Sequence, residues 1–253
     1  MSASVAESNK RGTARRVTLV TGAARRVGAA LARSFARPGD AIVLHHGNSA
    51  AAADALAAEL RDSGADVYVV QADLADASAP ERIVAETIAT FGALDTVVSS
   101  ASMMESRPFN EVTVEEWDRT MAINLRAPFF LMQAAARVMV DGGVIVQISD
   151  HLASEAIWPM LIPHQVSKAA LTQVVSALAA TLAPKIRVNA VAPGLVLAPD
   201  DMNDAVMSRF LKDVPLARIG SPSDVVQAVH YLIDAQYVTG TVLTVDGGRH
   251  LWR

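Results

Sequence analysis

Two stretches of this sequence carry residues whose types and spacing suit chemistry on a bound small molecule. The first is TGAARRVG at 21–28, in which Gly22 and Gly28 bracket Arg25 and Arg26 directly after a β-branched run. In that setting backbone amides and the positive end of a following helix cradle a pyrophosphate. The plain alternative is an ordinary strand-to-helix turn. The second stretch is HQVSK at 164–168. His164 and Lys168 are four apart, so on a helix they stand one turn apart on one face, and Pro163 before them suits a helix start.

A frame has to bring these stretches together. Short β-branched runs at 17–21, 41–45, 66–71, 94–99, 143–149, 186–192 and 241–245 alternate with segments of helical period at 27–37, 50–62, 79–91, 114–139, 164–183 and 222–234. The runs are almost continuously apolar, as expected when helices cover both faces of a parallel sheet. No linker divides the chain and no repeat period is present. The expected fold is therefore α/β, one doubly wound domain at 17–253 after a loose, disordered tail at 1–16. The stretch 193–214 reads as a long irregular substrate loop. Ser100, Ala101, Ser102, Asp150, Pro193 and Gly194 all follow β-branched runs, at the strand ends where such sheets bind ligands.

After the second run the chain reads His45, His46, Gly47, Asn48 and Ser49, where folds selecting NAD place an acid for the ribose hydroxyls. Without a carboxylate there, and with Arg25 in the neighbouring loop to meet a phosphate dianion, the residues favour NADP(H). Asp73, next to Leu74 after the third run, either caps the adenine amino group or caps a turn. His45, His46 and His151 have no ligand spacing, so no metal is expected.

Composition narrows the function further. Of 253 residues 51% are hydrophobic and 19% charged, enough apolar material for a large core and far from the composition of a disordered chain. Lys plus Arg number 22 against 26 Asp plus Glu, and the basic residues are scattered, which argues against a nucleic-acid partner. The absence of cysteine excludes disulfides and a Cys nucleophile and suits a cytoplasmic setting. No run approaches the roughly 18 apolar residues of a membrane span, and 1–16 lacks the apolar centre of a signal peptide.

Taken together, TGAARRVG, the Asp73 turn, Asn124 in INLRAPFF, Lys168 in HQVSKAAL, RVNAVAPG and VTGTVLTVDGG closely resemble the short-chain dehydrogenase/reductase family over nearly the whole chain. Three features make it more similar to the pteridine reductases of that family. They are Arg26 where most relatives have a second glycine, Asp150 where most have the catalytic serine, and the run PGLVLAPDDM.

The resemblance implies a homotetramer of Rossmann subunits, each with a mainly parallel seven-stranded sheet flanked by helices. It implies binding of NADP(H) and hydride transfer to a polarised C=O or C=N bond of a small molecule. Cofactor contacts are implied for Gly22, Arg25, Arg26, Gly28, His45, Asn48, Ser49, Asp73, Leu74, Ser100, Ala101, Ser102, Lys168, Pro193, Gly194 and Leu195. Substrate contacts are implied for Arg26, Ser102, Met104, Trp158, Leu195 and Met207, and catalytic roles for Asn124, Asp150, His164 and Lys168.

The departures are as informative. His164 stands where the family carries the tyrosine of a Tyr-x3-Lys motif, so the proton donor is changed. The interval from Asp150 is one residue longer than usual. Met104 takes the place of an aromatic that stacks a pterin in the pteridine reductases, and a thioether offers no flat face. The expected function is an NADPH-dependent reductase of pteridine-reductase type, acting on a C=N or activated C=O bond. Its rivals are a carbonyl reductase or alcohol dehydrogenase of secondary metabolism and a catalytically inactive NADP-binding scaffold.

Overall fold

The computed structural model describes residues 15–151, 158–198 and 203–251. The strands are β1 (Val17–Thr21), β2 (Ala41–His46), β3 (Asp66–Gln71), β4 (Thr96–Ser99), β5 (Gly143–Ile148), β6 (Ile186–Pro193) and β7 (Val242–Val245). They form one sheet in the order β3-β2-β1-β4-β5-β6-β7. Every adjacent pair is parallel, so the strand order reverses between β1 and β4, the switch point at which such sheets open a crevice.

Eight α-helices connect the described strands: α1 (Arg26–Phe35), α2 (Ala50–Asp62), α3 (Ala79–Phe91), α4 (Val114–Met121), α5 (Ala127–Val138), α6 (Ile162–Leu182), α7 (Asp204–Lys212) and α8 (Pro222–Asp234). Alternate strand residues explain why the β-branched runs are apolar throughout. Leu19, Val97 and Ile145 pack with Ile83, Leu131 and Leu171 of α3, α5 and α6. Val20, Val98 and Val146 pack with Leu31, Leu56 and Leu232 of α1, α2 and α8. Each fully buried side chain of this size contributes about 1.5 to 3 kcal/mol, and both faces contribute. Capping boxes at Thr113 with Glu116 and Ser221 with Asp224 set the starts of α4 and α8.

Three expectations change. The segment 114–139 is not one helix, because a π-helical turn at Ala122–Arg126 separates α4 from α5. Pro128 has no amide hydrogen to give the Asn124 carbonyl, so the turn widens there. The stretch 193–214 is not irregular throughout, because it contains α7. Asn203 starts that helix by accepting from the Val206 amide at 3.0 Å. Of the expected tail, 1–14 lies outside the described residues, while Arg15 pairs with Asp66 at 2.7 Å and the Arg16 amide bonds Asp40 at 3.1 Å. Among the described residues no helix is long and apolar enough to cross a membrane.

β2 ends in two buried histidines, His45 and His46. The His45 Nδ1 accepts from the Gly22 amide at 3.2 Å, and its Nε2 donates to the Ala72 carbonyl at 3.0 Å. One ring thereby staples the ends of β1, β2 and β3. Burial pushes its pKa from 6.5 down to about 4, against the bond to Ala72. The unfolded chain therefore takes up a proton between those two values that the folded chain does not. Stability is complete above the unfolded value and is lost as pH falls toward the folded one. Urea unfolding at stepped pH should show wild type losing about 3 kcal/mol more than His45→Gln between pH 6.5 and 4. A difference that stays flat across this window refutes the staple.

Candidate active site

The carboxyl ends of the central strands open onto a cavity of about 690 Å³. Its floor is the 21–28 loop. Gly22 has φ +64°, and a Cβ there would sit 2.8 Å from the Ala101 Cα. A Cβ on Gly28 would lie 2.1 Å from the Gly22 carbonyl oxygen, so only glycine permits this approach. Thr21 Oγ1 accepts from the amides of Ser100 and Ala101 at 3.0 and 3.1 Å, which fixes the turn after β4 against the loop. The first turn of α1 has no side-chain cap, which leaves its amides and the positive end of its dipole to water or an anion.

Arg26 holds a left-handed backbone, φ +53°, at a cost of about 1 kcal/mol for a residue with a Cβ. Its Nη2 donates to the Leu197 carbonyl at 3.1 Å, tying the loop to the segment after β6. Arg25 is exposed at the rim, with Asn48 also on the wall. Asp73 Oδ1 caps the Ala75 amide at 2.9 Å and Oδ2 meets Arg119 at 3.3 Å.

The opposite end holds the ionisable groups. Asn124 is fully buried in the π-helical turn. Its oxygen accepts from the Met103 amide at 2.8 Å, and its nitrogen donates to the Met103 carbonyl at 2.8 Å and to Ser167 Oγ at 3.1 Å. Both amide hydrogens are thus used, so the His164 Nδ1, 3.4 Å away, receives neither. That nitrogen lies 3.0 Å from the Met103 carbonyl, an acceptor, and must carry its own hydrogen. The other ring nitrogen, Nε2, faces Asp150 Oδ2 at 3.1 Å.

A lone pair pointed at a carboxylate oxygen would repel it. Nε2 and Oδ2 are thus placed to share a proton, which would lie between them. Both line the cavity, and Asp150, its side chain 20% exposed against 4% for His164, is the more accessible member. Lys168 is buried and donates to the Ile148 carbonyl at 3.0 Å. Burial pulls its pKa down to about 8, with the charge of Asp150 opposing.

The structure gathers Gly22, Arg25, Arg26, Gly28, His45, Asn48, Asp73, Leu74, Ser100, Ala101, Ser102, Met104, Asp150, His164 and Lys168 around this one cavity. His45 stands at the wall with both ring nitrogens already engaged. Ser49, Trp158, Pro193, Gly194, Leu195 and Met207 lie off the wall. Gly194 has a packing reason to be glycine, since a Cβ there would meet Asp246 at 2.8 Å. Arg119 and the Met103 backbone escaped the sequence reading. An exposed helix arginine carries no distinguishing pattern, and Met103 acts through atoms that every residue has. Among the described residues no cluster of His, Asp and Glu suits a metal.

A family model described as Enoyl-(Acyl carrier protein) reductase matches residues 22–250. The chain is also 35% identical over 251 residues to a short chain dehydrogenase/reductase of Aspergillus aculeatus, covering 92% of this chain and 94% of that protein. The chain belongs to the short-chain dehydrogenase/reductase family. Within the family, it is 33% identical over 252 residues to a versicolorin reductase of Emericella nidulans, covering 92% of this chain and 95% of that protein. A short chain dehydrogenase of Burkholderia cenocepacia solved in complex with NADP superposes with a TM-score of 0.87 at 32% identity, covering 93% of this chain and 97% of that one.

The glycine cradle yields a direct test. Gly28→Ala forces a methyl group into the Gly22 carbonyl, and backbone cannot step aside as a flexible side chain would. Urea unfolding should show a loss of about 3 kcal/mol, at the upper end of the overpacking range. A variant as stable as wild type would show that the loop is looser than these contacts require.

Proposed function

We propose that this short-chain dehydrogenase/reductase reduces an activated carbonyl of a small molecule with NADPH, the proton coming from the Asp150 and His164 pair. The observation that carries this reading is the 3.1 Å approach of His164 Nε2 to Asp150 Oδ2 at the cavity wall. Carbonyl reduction adds a hydride to carbon and a proton to oxygen, so it needs a poised donor.

The residues fit the cofactor. The side-chain-free cradle of Gly22 and Gly28 and the uncapped start of α1 suit a pyrophosphate. Arg25 and Asn48, without a carboxylate after β2, suit a 2′-phosphate. Once bound, NADPH supplies the hydride. Asp150 presents the proton, and His164 replenishes it from a ring held by the Met103 carbonyl. Asn124 holds Met103, and Lys168 places a cation near the carboxylate. In this reading His164 serves in place of the family's tyrosine, and Asp150 is the group that meets the substrate.

The carbonyl reading displaces the pterin one because of the wall. Among the described lining residues there is no Phe, Tyr or Trp, and Met104 is an exposed thioether. A pterin finds no flat partner there. The names of the relatives, a versicolorin reductase among them, agree with a secondary-metabolic carbonyl. We further propose a homotetramer, since Phe109, Val114, Phe130, Val138 and Val166 leave apolar surface exposed around α4, α5 and α6.

NADPH consumption should be measured with quinones, aryl ketones, cyclic imines and dihydropterins. Quinones or ketones are expected to turn over fastest; faster reduction of dihydropterins overturns the carbonyl reading, and no turnover of any leaves the scaffold reading. Asp150→Asn and His164→Phe should each lower kcat/KM about 10²-fold or more while NADPH fluorescence titration still shows binding. Titration should also give a Kd for NADPH about 10-fold below that for NADH, a margin that Arg25→Ala removes. Equal affinities in wild type would refute the assignment of Arg25.

A further inference from the structure

We propose that Arg249 is a positioning residue that pins α7 and Trp158 to the carboxyl-terminal turn and thereby sets the substrate-side edge of the cavity. What that edge meets rests on the proposed carbonyl reduction, whereas the pinning rests on contacts alone. The excursion carrying α7 leaves β6 at Pro193 and closes at its neck, where the Gly220 amide donates to the Leu195 carbonyl at 2.9 Å. Its outgoing limb is tied to the glycine loop, since Arg26 donates to the Leu197 carbonyl. A helix of 9 residues is not stable by itself. Its place is set by what it packs on.

That support is the turn at 246–251. The Asp246 side chain is 2% exposed and accepts from the amides of Gly248 at 2.9 Å and His250 at 2.7 Å, which stiffens the turn. The Gly247 carbonyl accepts from the Leu216 amide at 3.1 Å. Gly247 has φ +72°, and a Cβ there would sit 2.7 Å from Val214 Cγ1, so glycine lets the turn close on the chain just past α7.

From this base Arg249 reaches back over the helix. Its guanidinium lies 4.0 Å from the ring centroid of Phe210, in the last turn of α7, and 5.3 Å from that of Trp158. A cation over two rings is attracted by both, and it stands near the negative end of the helix dipole. Burial works against the charge, while Asp213, just past α7, and Asp246 favour it. Nη1 also faces His151 Nε2 at 3.4 Å, and Nδ1 of that ring lies 3.1 Å from the Pro193 carbonyl. A guanidinium donates and a carbonyl accepts, so a chain of donors runs from Arg249 through the His151 ring to the end of β6. His151 follows Asp150 of the cavity wall directly. Arg249 thus joins α7 and Trp158 to that wall.

Trypsin tests the pinning. Arg209 and Lys212 are exposed cleavage sites within α7, and a protease cuts a helix only when it opens. Arg249→Met keeps a long stem without the cation. Cleavage after Arg209 and Lys212, followed by mass, should run about 10-fold faster than in wild type, with cleavage after the exposed Arg61 of α2 unchanged. Phe210→Leu should act in the same way, and the double variant should fall short of the product of the two. Wild-type cleavage in α7, equal acceleration at Arg61, or fully multiplicative effects overturn the proposal. Should Arg249→Met fail to fold, Phe210→Leu alone carries the same comparison.

Steady-state kinetics test the edge. In Arg249→Met the KM for a fused-ring aryl ketone should rise about 5-fold, with kcat, the KM for a small aliphatic ketone and the Kd for NADPH all within twofold of wild type. An unchanged KM for the large ketone, or an equal rise for both ketones, overturns the positioning role. A wild type that reduces no carbonyl defeats the proposed function instead, and the trypsin comparison then decides the pinning by itself.

Discussion

The buried amide of Asn124 spends both its hydrogens and its oxygen on Met103 and Ser167, and so leaves His164 one choice of tautomer. From that choice follows which ring nitrogen of His164 is turned to Asp150. The amide is where it is because the helix breaks its own register. A continuous α-helix through 114–138 would need an amide hydrogen that Pro128 lacks, and the wider turn at Ala122–Arg126 holds Asn124 within reach of two elements. A buried polar network is worth having only when every member is satisfied. In this network Asn124, Ser167, Met103 and His164 each have a partner.

The parallel sheet contributes direction. All its strands end on the same side, so chemistry read from distant sequence positions accumulates at one rim. The register Ile148↔Val191 between β5 and β6 places the residues just past both ends side by side, and this is why the His151 ring meets the Pro193 carbonyl. At the far side of the switch point the glycine loop uses the same rim for the opposite purpose, presenting backbone amides where the other end presents ionisable side chains. One crevice thus has a glycine-lined end and an end lined by ionisable side chains.

Much of this is legible in the amino-acid sequence. The strands and the helices α2, α3 and α8 follow from apolar period and from end signals such as Ser221 and Pro222, because local pattern and burial agree there. Strand ends put Asp150 at the rim and helical spacing paired His164 with Lys168, while their meeting was implied by the family resemblance. Other features were hidden for physical reasons. The π turn depends on a missing donor four residues downstream of the carbonyl that needs it. α7 begins at Asn203 after a polar run that looks like loop. The grip on Met103 uses main-chain atoms, and the contact of His151 with Arg249 joins residues 98 apart in the chain, which no local spacing encodes.

The grip on Met103 has a consequence for how such a chain diversifies. Asn124 and His164 hold its N–H and C=O, never its thioether, and the neighbouring Met104 side chain stands 58% exposed on the same wall. The side chains that line the cavity at these two positions are therefore mechanically separate from the backbone bonds to Asn124 and His164. Side chains at 103 and 104 can be exchanged for larger, smaller or more polar ones while the backbone bonds persist. The lining can change while Asn124 and His164 keep their places, so the fold works as a fixed frame with a replaceable lining.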